Sequence, residues 1–315
     1  MRGGIRQCMP PYSTVATLLD PRRLRAIYLA ARRDAVTLDR SRETDQDLVD
    51  LVGDPYESLS GARDRLERLK ELLRRRNDRR AVFLTIYTAM TRAVQQSIGR
   101  GRFADPEWMR TYTLTFANYY RDAFLAFEER RTQAVPEPWR IAFGTAVAGD
   151  ALVAQDAFLG INAHINYDLA LTIRDVGVDP NRERKRQDHR AINDILAELV
   201  DAQQEALAEL YAPGIDEIDT ALGRFDETVS LFTLTEAREQ AWRVGVVLAD
   251  FHVRPVESYA RWVLRTTATG GAVFILGPTL DPEVTRVLER VERNQFHLGN
   301  AIDLLDRRYE TVTFE

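Results

Sequence analysis

The sequence has little sulfur and little imidazole with which to bind metals. One of its 315 residues is a cysteine, Cys8, so an intrachain disulfide and a cysteine-based metal cluster are excluded. The histidines number four: His164, His189, His252 and His297. A metal site in this chain would have to combine few histidines with oxygen ligands, and it would hold one ion rather than several.

Strong charge of one sign and long apolar runs are also missing. The formal net charge is -5, so composition gives no case for nucleic acid or an anionic membrane as a partner. No run of about 18 apolar residues occurs without a charge, so no transmembrane helix is expected. The first eleven residues are polar and contain glycine and proline, unlike a secretory signal. We therefore expect a soluble, cytoplasmic protein.

The common catalytic motifs are absent as well. The chain has no Gly-x-Gly-x-x-Gly, no Gly-x-x-x-x-Gly-Lys-Ser/Thr, no His-Glu-x-x-His and no Gly-x-Ser-x-Gly. It also lacks the Asp-Asp-x-x-Asp of helical isoprenoid enzymes and the paired Glu-x-x-His of di-iron bundles. The familiar nucleotide-binding, serine-hydrolase, terpene-cyclase and di-iron functions are thereby disfavoured.

What the sequence does have is a repeated helix-start signal. Asp-Pro occurs at 20–21, 54–55, 105–106, 179–180 and 281–282, and it places a capping carboxylate before a proline suited to the first helical turn. Apolar periodicity then predicts helices at 21–36, 55–77, 80–98, 106–131, 138–156, 157–174, 181–211, 234–252, 255–269 and 282–308. The expected fold is all-α: one bundle-like domain over 1–315, in which 1–53 is a helical extension and 80–260 is the core.

The stretch from Phe158 to Ile173 is apolar nearly all round, which is typical of a buried central helix. It nevertheless carries polar residues at four-residue spacing. Asn162 and Asn166 share one side of the helix, and His164 and Asp168 share nearly the opposite side. Buried polar groups need partners, so this pattern predicts a polar centre inside the bundle.

A second set of polar residues lies on apolar helix faces further along the chain. Asp188, His189 and Asn193 can point inward from the predicted helix 181–211. Arg238 shares a face with Trp242 and with small residues, so it is expected to be partly buried. A buried arginine needs a carboxylate, and Asp168 and Asp188 are the natural candidates.

The sequence does not decide the roles of two apolar segments. The predicted helix after Asp105 carries aromatic residues at helical spacing; these indicate packing, or the walls of a pocket if the centre is hollow. Gly270 to Pro278 interrupts the predicted helix 255–269, and the sequence does not decide between an apolar turn and a flap.

The motif from Leu159 to Leu169, Leu-Gly-Ile-Asn-Ala-His-Ile-Asn-Tyr-Asp-Leu, resembles the core of an uncharacterised prokaryotic helical family. The downstream Asp188-His189 and Arg238-x-x-Ala-Trp242 belong to the same resemblance, which covers residues 80–260. The family is a domain of unknown function. The resemblance therefore implies an all-helical fold and no particular reaction.

The polar residues allow a metal-dependent interpretation. His164, Asp168, His189 and Asp188, with Asn193 as an alternative to Asp188, would bind one Zn, Mn or Fe ion. Its bound water would be the nucleophile in a hydrolysis. A His-x-x-x-Asp helix is similar in that one detail to the helical zinc phospholipase C and nuclease group. Those enzymes use more histidines than this chain has.

A metal-free interpretation is equally open. His164, Asp168, His189 and Arg238 would be the catalytic groups, with His164 as base and Asp168 as its orienter. The substrate-binding residues would be Asn162, Asn166, Asn193, Tyr167 and Trp242. The preferred prediction is an enzyme that acts on a small, partly apolar molecule, in a chain that could form a homo-oligomer. The alternative is a non-catalytic binding or structural protein with a buried hydrogen-bond network.

Overall fold

The computed structural model is all-α in the part of the chain that it describes, which comprises Tyr28 and residues 43–211, 234–277, 288–292 and 297–312. Its helices are α1 (Gln46–Val52), α2 (Leu59–Arg75), α3 (Arg80–Gly99), α4 (Pro106–Glu128), α5 (Glu137–Ala148), α6 (Val153–Ala163), α7 (Leu169–Val176), α8 (Arg182–Tyr211), α9 (Leu234–Asp250), α10 (Arg254–Leu276) and α11 (Leu298–Thr311). The predicted fold class is confirmed. None of these helices is long and apolar enough to cross a membrane.

Of the five Asp-Pro signals, one marks a helix start as predicted. The Asp105 carboxylate accepts a hydrogen bond from the Trp108 backbone N–H, and Pro106 is the first residue of α4. The prediction is wrong at 54–55, because Ser58 caps α2, and at 179–180, because α8 begins two residues later and the Asp179 side chain binds Arg182. The signals at 20–21 and 281–282 lie outside the described residues.

Three predicted helix boundaries are also wrong. The break predicted between 156 and 157 lies instead at Gly149, whose φ of 70° is in the left-handed region that glycine adopts readily. The predicted break at Gly270 is absent, because α10 runs through both glycines to Leu276. The single helix predicted at 282–308 is interrupted, since His297 lies outside a helix and α11 starts after it.

The central stretch is one continuous rod made of α6, a π-helical segment His164–Asp168, and α7. In the π segment the Leu169 N–H donates to the carbonyl of His164, five residues earlier. Gly245 allows α9 to pack closely along α7, since a Cβ at this position would lie 2.9 Å from the Ala170 carbonyl oxygen. The rod also contacts α3, α4, α5 and α10, which makes it the central helix that the sequence predicted.

The described residues form two apolar core clusters that meet at this rod. One is centred on Trp139, Tyr120 and Leu159, and the other includes Leu169 and Ile192. Three half-buried side chains pack against both clusters: Ile86, Phe116 and Ile161. The junction of the clusters is where the candidate site lies.

Candidate functional site

His164 and Asp168 form a buried dyad at the two ends of the π segment. The Nδ1 atom of His164 lies 2.9 Å from Oδ2 of Asp168. The indole Nε1–H of Trp139, on α5, donates to the same oxygen across 2.8 Å. His164 is 2% exposed and Asp168 is 1% exposed. Among the described residues, neither His164 Nε2 nor Asp168 Oδ1 has a hydrogen-bond partner.

Burial determines the charge of this dyad. Removal from water raises the pKa of Asp168 well above its usual range, and the hydrogen bond from Trp139 offsets part of the rise. Burial also lowers the pKa of His164 well below its usual range. Both shifts favour a dyad with no net charge, which holds two protons. With one proton between Nδ1 and Oδ2, the other is on Nε2, and Nε2–H is then a hydrogen-bond donor.

Aromatic rings hold the imidazole of His164 in place. The Phe116 ring stacks on it with a centroid distance of 3.5 Å and an interplanar angle of 5°. The Tyr87 ring meets it edge-on, with centroids 4.5 Å apart. The His164 ring therefore cannot turn without displacing packed neighbours, and its Nε2 edge keeps a fixed direction.

A cavity of about 70 Å³ adjoins the imidazole. Side chains of α3, α4, the central rod, α8 and α9 line it, and most are apolar, such as Phe116, Ile165 and Leu199. His164 and Arg238 both line this cavity, so the structure brings two of the four predicted catalytic residues to one space. No Asp, Glu or Lys is among the described residues that line it.

His189 belongs to a neighbouring network that is fully satisfied. Its Nε2–H donates to the backbone carbonyl of Arg238 across 3.1 Å, and its Nδ1 accepts from the Tyr112 hydroxyl at 2.9 Å. Burial, helped by the charge of Arg238, lowers the pKa of His189 well below its usual range, which suits a neutral ring. Since both nitrogens are engaged and His189 does not line the cavity, its role in this structure is to position Tyr112 and Arg238.

Arg238 lies between the His189 network and the cavity. Its Nε–H donates to Asn193 Oδ1 across 2.8 Å, and one of its terminal nitrogens donates to the His189 carbonyl across 2.6 Å. The expected carboxylate partner is missing: neither Asp168 nor Asp188 pairs with the guanidinium, which is only 2% exposed. Asn193, predicted to bind substrate, does not line the cavity, and its Oδ1 accepts this hydrogen bond from Arg238.

The four predicted metal ligands do not come together. The Asp188 oxygens each accept a backbone N–H, from Ala104 and Asp105, both at 2.7 Å. Asp188 thus holds the backbone just before the start of α4 and does not contact the dyad. Within the described residues, no three or more His, Cys, Asp or Glu side chains are placed to hold a metal ion.

The other predicted substrate-binding residues also lie outside the cavity lining. Asn166 donates to Asn162 Oδ1 across 3.0 Å, and Asn162 donates to the Ala268 carbonyl across 2.7 Å, so this pair joins the central rod to α10. Trp242 is buried, with its ring centroid 5.2 Å from that of His189. Tyr167 is half-buried and packs against the second apolar cluster.

Comparison with known proteins assigns the family. The model of a family of unknown function, DUF5995, matches residues 59–278, which is more than two thirds of the chain. The chain belongs to DUF5995. This confirms the resemblance to an uncharacterised helical family, and the match extends beyond the predicted range 80–260 at both ends. No curated protein and no solved structure matches the chain.

All described residues that line the cavity lie within the DUF5995 match. Sequence reasoning did not identify Tyr87, Phe116 and Trp139 individually as parts of the site. A usable signal existed for Trp139, because a buried indole N–H needs an acceptor and Asp168 was predicted to be buried. The aromatic spacing after Asp105 likewise indicated pocket walls, and Tyr112 and Phe116 are two of them.

Proposed function

We propose that this protein binds a small, mostly apolar molecule in the cavity beside His164 and acts on it by acid–base chemistry. The observation that carries the proposal is the orphaned Nε2 of His164, a buried polar atom on a ring that lines an apolar cavity. Because Asp168 engages Nδ1, the Nε2 edge is the part of the ring that can meet a ligand. A buried polar atom without a partner is costly, and a ligand acceptor at Nε2 would remove that cost.

The dyad suits proton donation to the ligand. In the state without net charge, Nε2–H donates a hydrogen bond to an acceptor such as a carbonyl oxygen. When that proton moves to the ligand, the proton on Asp168 Oδ2 moves to Nδ1 of His164, and the negative charge is left on the Asp168 carboxylate. Trp139 Nε1–H already donates to that carboxylate and stabilises its charge. The reverse transfer makes the same dyad a base.

The cavity also limits the size and polarity of the ligand. Its volume of about 70 Å³ is smaller than the roughly 150 Å³ cavity that admits benzene in an engineered core. Its walls are mostly apolar, which suits a short hydrocarbon body and one or two polar groups. Metal-assisted hydrolysis is not part of the proposal, because the predicted ligands lie in separate clusters.

Non-catalytic binding is the second candidate, and one observation favours it. The described residues that line the cavity include one histidine, His164, and no carboxylate. Burial raises the pKa of the lining Tyr87 and Tyr112 hydroxyls, which keeps them protonated and makes them poor bases, so a second base for a complete reaction has to come from the ligand or from water. A binding protein would need only the cavity and the Nε2 hydrogen bond.

A titration with small ketones, aldehydes and esters tests the proposal. Binding is measured by a shift in melting temperature, and chemical change of the bound compound by NMR. His164→Gln should lose binding, whereas His252→Gln, a change at an exposed histidine, should retain it. Val94→Leu places an extra methylene in the cavity, leaves the dyad intact, and should also weaken binding. If the compounds bind but are not converted, the second candidate, non-catalytic binding, is favoured. If no neutral or charged compound binds, both the catalytic and the binding proposals are rejected.

A further inference from the structure

Arg238 is a buried cation without a counter-ion in the described part of the molecule. Its partners are the amide oxygen of Asn193, the backbone carbonyl of His189 and, at 3.5 Å, the Nδ1 atom of His189, and none of them carries a negative charge. A guanidinium that is 2% exposed is expensive to bury unless an anion compensates its charge. The other fully buried arginine side chain in the described residues, Arg80, has such anions, because Asp78 and Glu128 both form ion pairs with it.

Arg238 is also the only described side chain with a full charge that lines the cavity beside His164. Its guanidinium is held from two sides, by Asn193 and by the carbonyl of His189, so it does not turn freely. These bonds, together with the 3.5 Å contact to Nδ1 of His189, use the Nε–H and one terminal nitrogen. The other terminal nitrogen keeps its N–H donors, which can form charge-assisted hydrogen bonds to a carboxylate.

We propose that the molecule bound in the cavity is a small carboxylic acid in its anionic form, with its carboxylate on Arg238 and its apolar body extending towards His164. This inference rests on the proposed function and names the class of molecule that the cavity takes. The missing counter-ion of Arg238 and the missing partner of His164 Nε2 would then both be supplied by one ligand: its anionic end pairs with Arg238, and an acceptor elsewhere on it meets Nε2–H.

A carboxylate fits the lining better than a phosphate does. A phosphate presents more oxygens and more charge than one guanidinium can satisfy, and phosphate sites normally add backbone N–H groups at a helix start or further basic residues. Here the lining supplies one cation and walls that are mostly apolar. A cavity of about 70 Å³ restricts the body of the acid to a short chain.

Calorimetric titration of the 315-residue protein with three compounds of equal length tests the inference: butyrate, butyramide and butylamine. Butyrate should bind best, butyramide about 30-fold or more weakly, and butylamine not at all, since a buried charge pair loses at least this factor when one partner is neutral. Arg238→Gln should abolish the preference for butyrate. Arg243→Gln, a change at an exposed arginine of the same helix, should leave it intact.

The outcomes separate this inference from the proposed function. If butyramide binds as tightly as butyrate, or if Arg238→Gln binds butyrate as the wild type does, the carboxylate inference is overturned and the cavity proposal stands. If none of the three compounds binds, the carboxylate inference is overturned, and the titration with ketones, aldehydes and esters decides the proposed function. If Arg238→Gln does not fold, the comparison of the three compounds on the wild-type protein still tests the carboxylate inference.

Discussion

Trp139 and Asp168 are joined by a hydrogen bond of 2.8 Å between the indole Nε1–H and Oδ2. The bond links α5 to the π segment, and both side chains are almost completely buried. Asp168 is thereby held from two sides, by Trp139 and by the His164 imidazole. The dyad is a packed, preoriented group, which is what a site that positions one atom of a ligand requires.

Replacing Trp139 with Phe removes the donor to Asp168. We expect the free energy of unfolding to fall by about 0.5–1.5 kcal/mol for the lost hydrogen bond, since Oδ2 keeps only His164 as its partner, in addition to the effect of a smaller ring. Urea denaturation measures this loss. Trp242→Phe is the matched control, because it makes the same change in size at an equally buried indole that is not bound to a carboxylate. Equal losses in the two variants would contradict the importance of the Trp139–Asp168 bond.

Asn162 is expected to be a structural residue. Asn162→Ala removes the hydrogen bonds to Ala268 and Asn166, and it should cost about 1–3 kcal/mol of stability while ligand binding by folded protein persists. Asn166→Ala removes one bond at a half-buried position and should cost less. If a well-folded Asn162→Ala variant loses ligand binding, Asn162 is part of the binding site after all.

Gly245 is required where α9 meets α7. A Cβ at this position would lie 2.6 Å from Ile173 Cβ and 2.9 Å from the backbone oxygen of Ala170. Gly245→Ala should therefore destabilise the fold by about 1–3 kcal/mol, measured by thermal and urea denaturation. Gly99→Ala, where a Cβ has no neighbour within 4 Å, should be neutral or stabilising. A neutral Gly245→Ala would show that the two helices separate easily.

Asp156 should make stability depend on pH. Burial raises the pKa of this carboxyl group from 3.8 to about 7, and the Arg79 guanidinium, 2.7 Å away, only partly opposes the rise. The folded state therefore binds the proton more tightly than the unfolded chain does. Its contribution to stability is complete below pH 3.8 and is lost as the pH rises to about 7.

We expect the free energy of unfolding of the wild type to decline as the pH rises from 3.8 to about 7. Asp156→Asn should remove this decline. Denaturation curves at several pH values measure it. The exposed Asp64→Asn variant should retain the decline. If the wild type and Asp156→Asn show parallel pH profiles, Asp156 is not the group responsible.

Local patterns predicted the local parts of the site. The four-residue spacing placed His164 beside Asp168 and Asn162 beside Asn166, and both contacts are present. Asp105-Pro106 predicted the start of α4 for the same reason: the interaction spans a few residues. The sequence could not show that Asp188 would bind backbone amides more than 80 residues away, because side-chain direction at that range depends on how the helices pack.

Arg238 shows the other limit of sequence reasoning. Its burial followed from the apolar face of α9, but the choice of partner depended on tertiary packing, which brought Asn193 and the His189 carbonyl to it rather than a carboxylate. The cavity could not be predicted from the sequence either, because it lies where two apolar clusters meet around Phe116. The cytoplasmic location and the homo-oligomer remain predictions from the sequence.

Nitrogen-15 NMR of protein with labelled histidine side chains tests directly whether His164 meets a ligand through a protonated Nε2. Single His→Gln variants assign the four imidazoles. Because burial lowers the pKa of His164, we expect its ring to stay neutral, with the proton on Nε2, through the pH range around 6.5 where an ordinary histidine titrates. We also expect this Nε2 resonance to shift when a cavity ligand is added. A His164 ring that titrates in this range, or whose Nε2 resonance is unchanged by a ligand that binds the protein, would contradict the proposed role of His164.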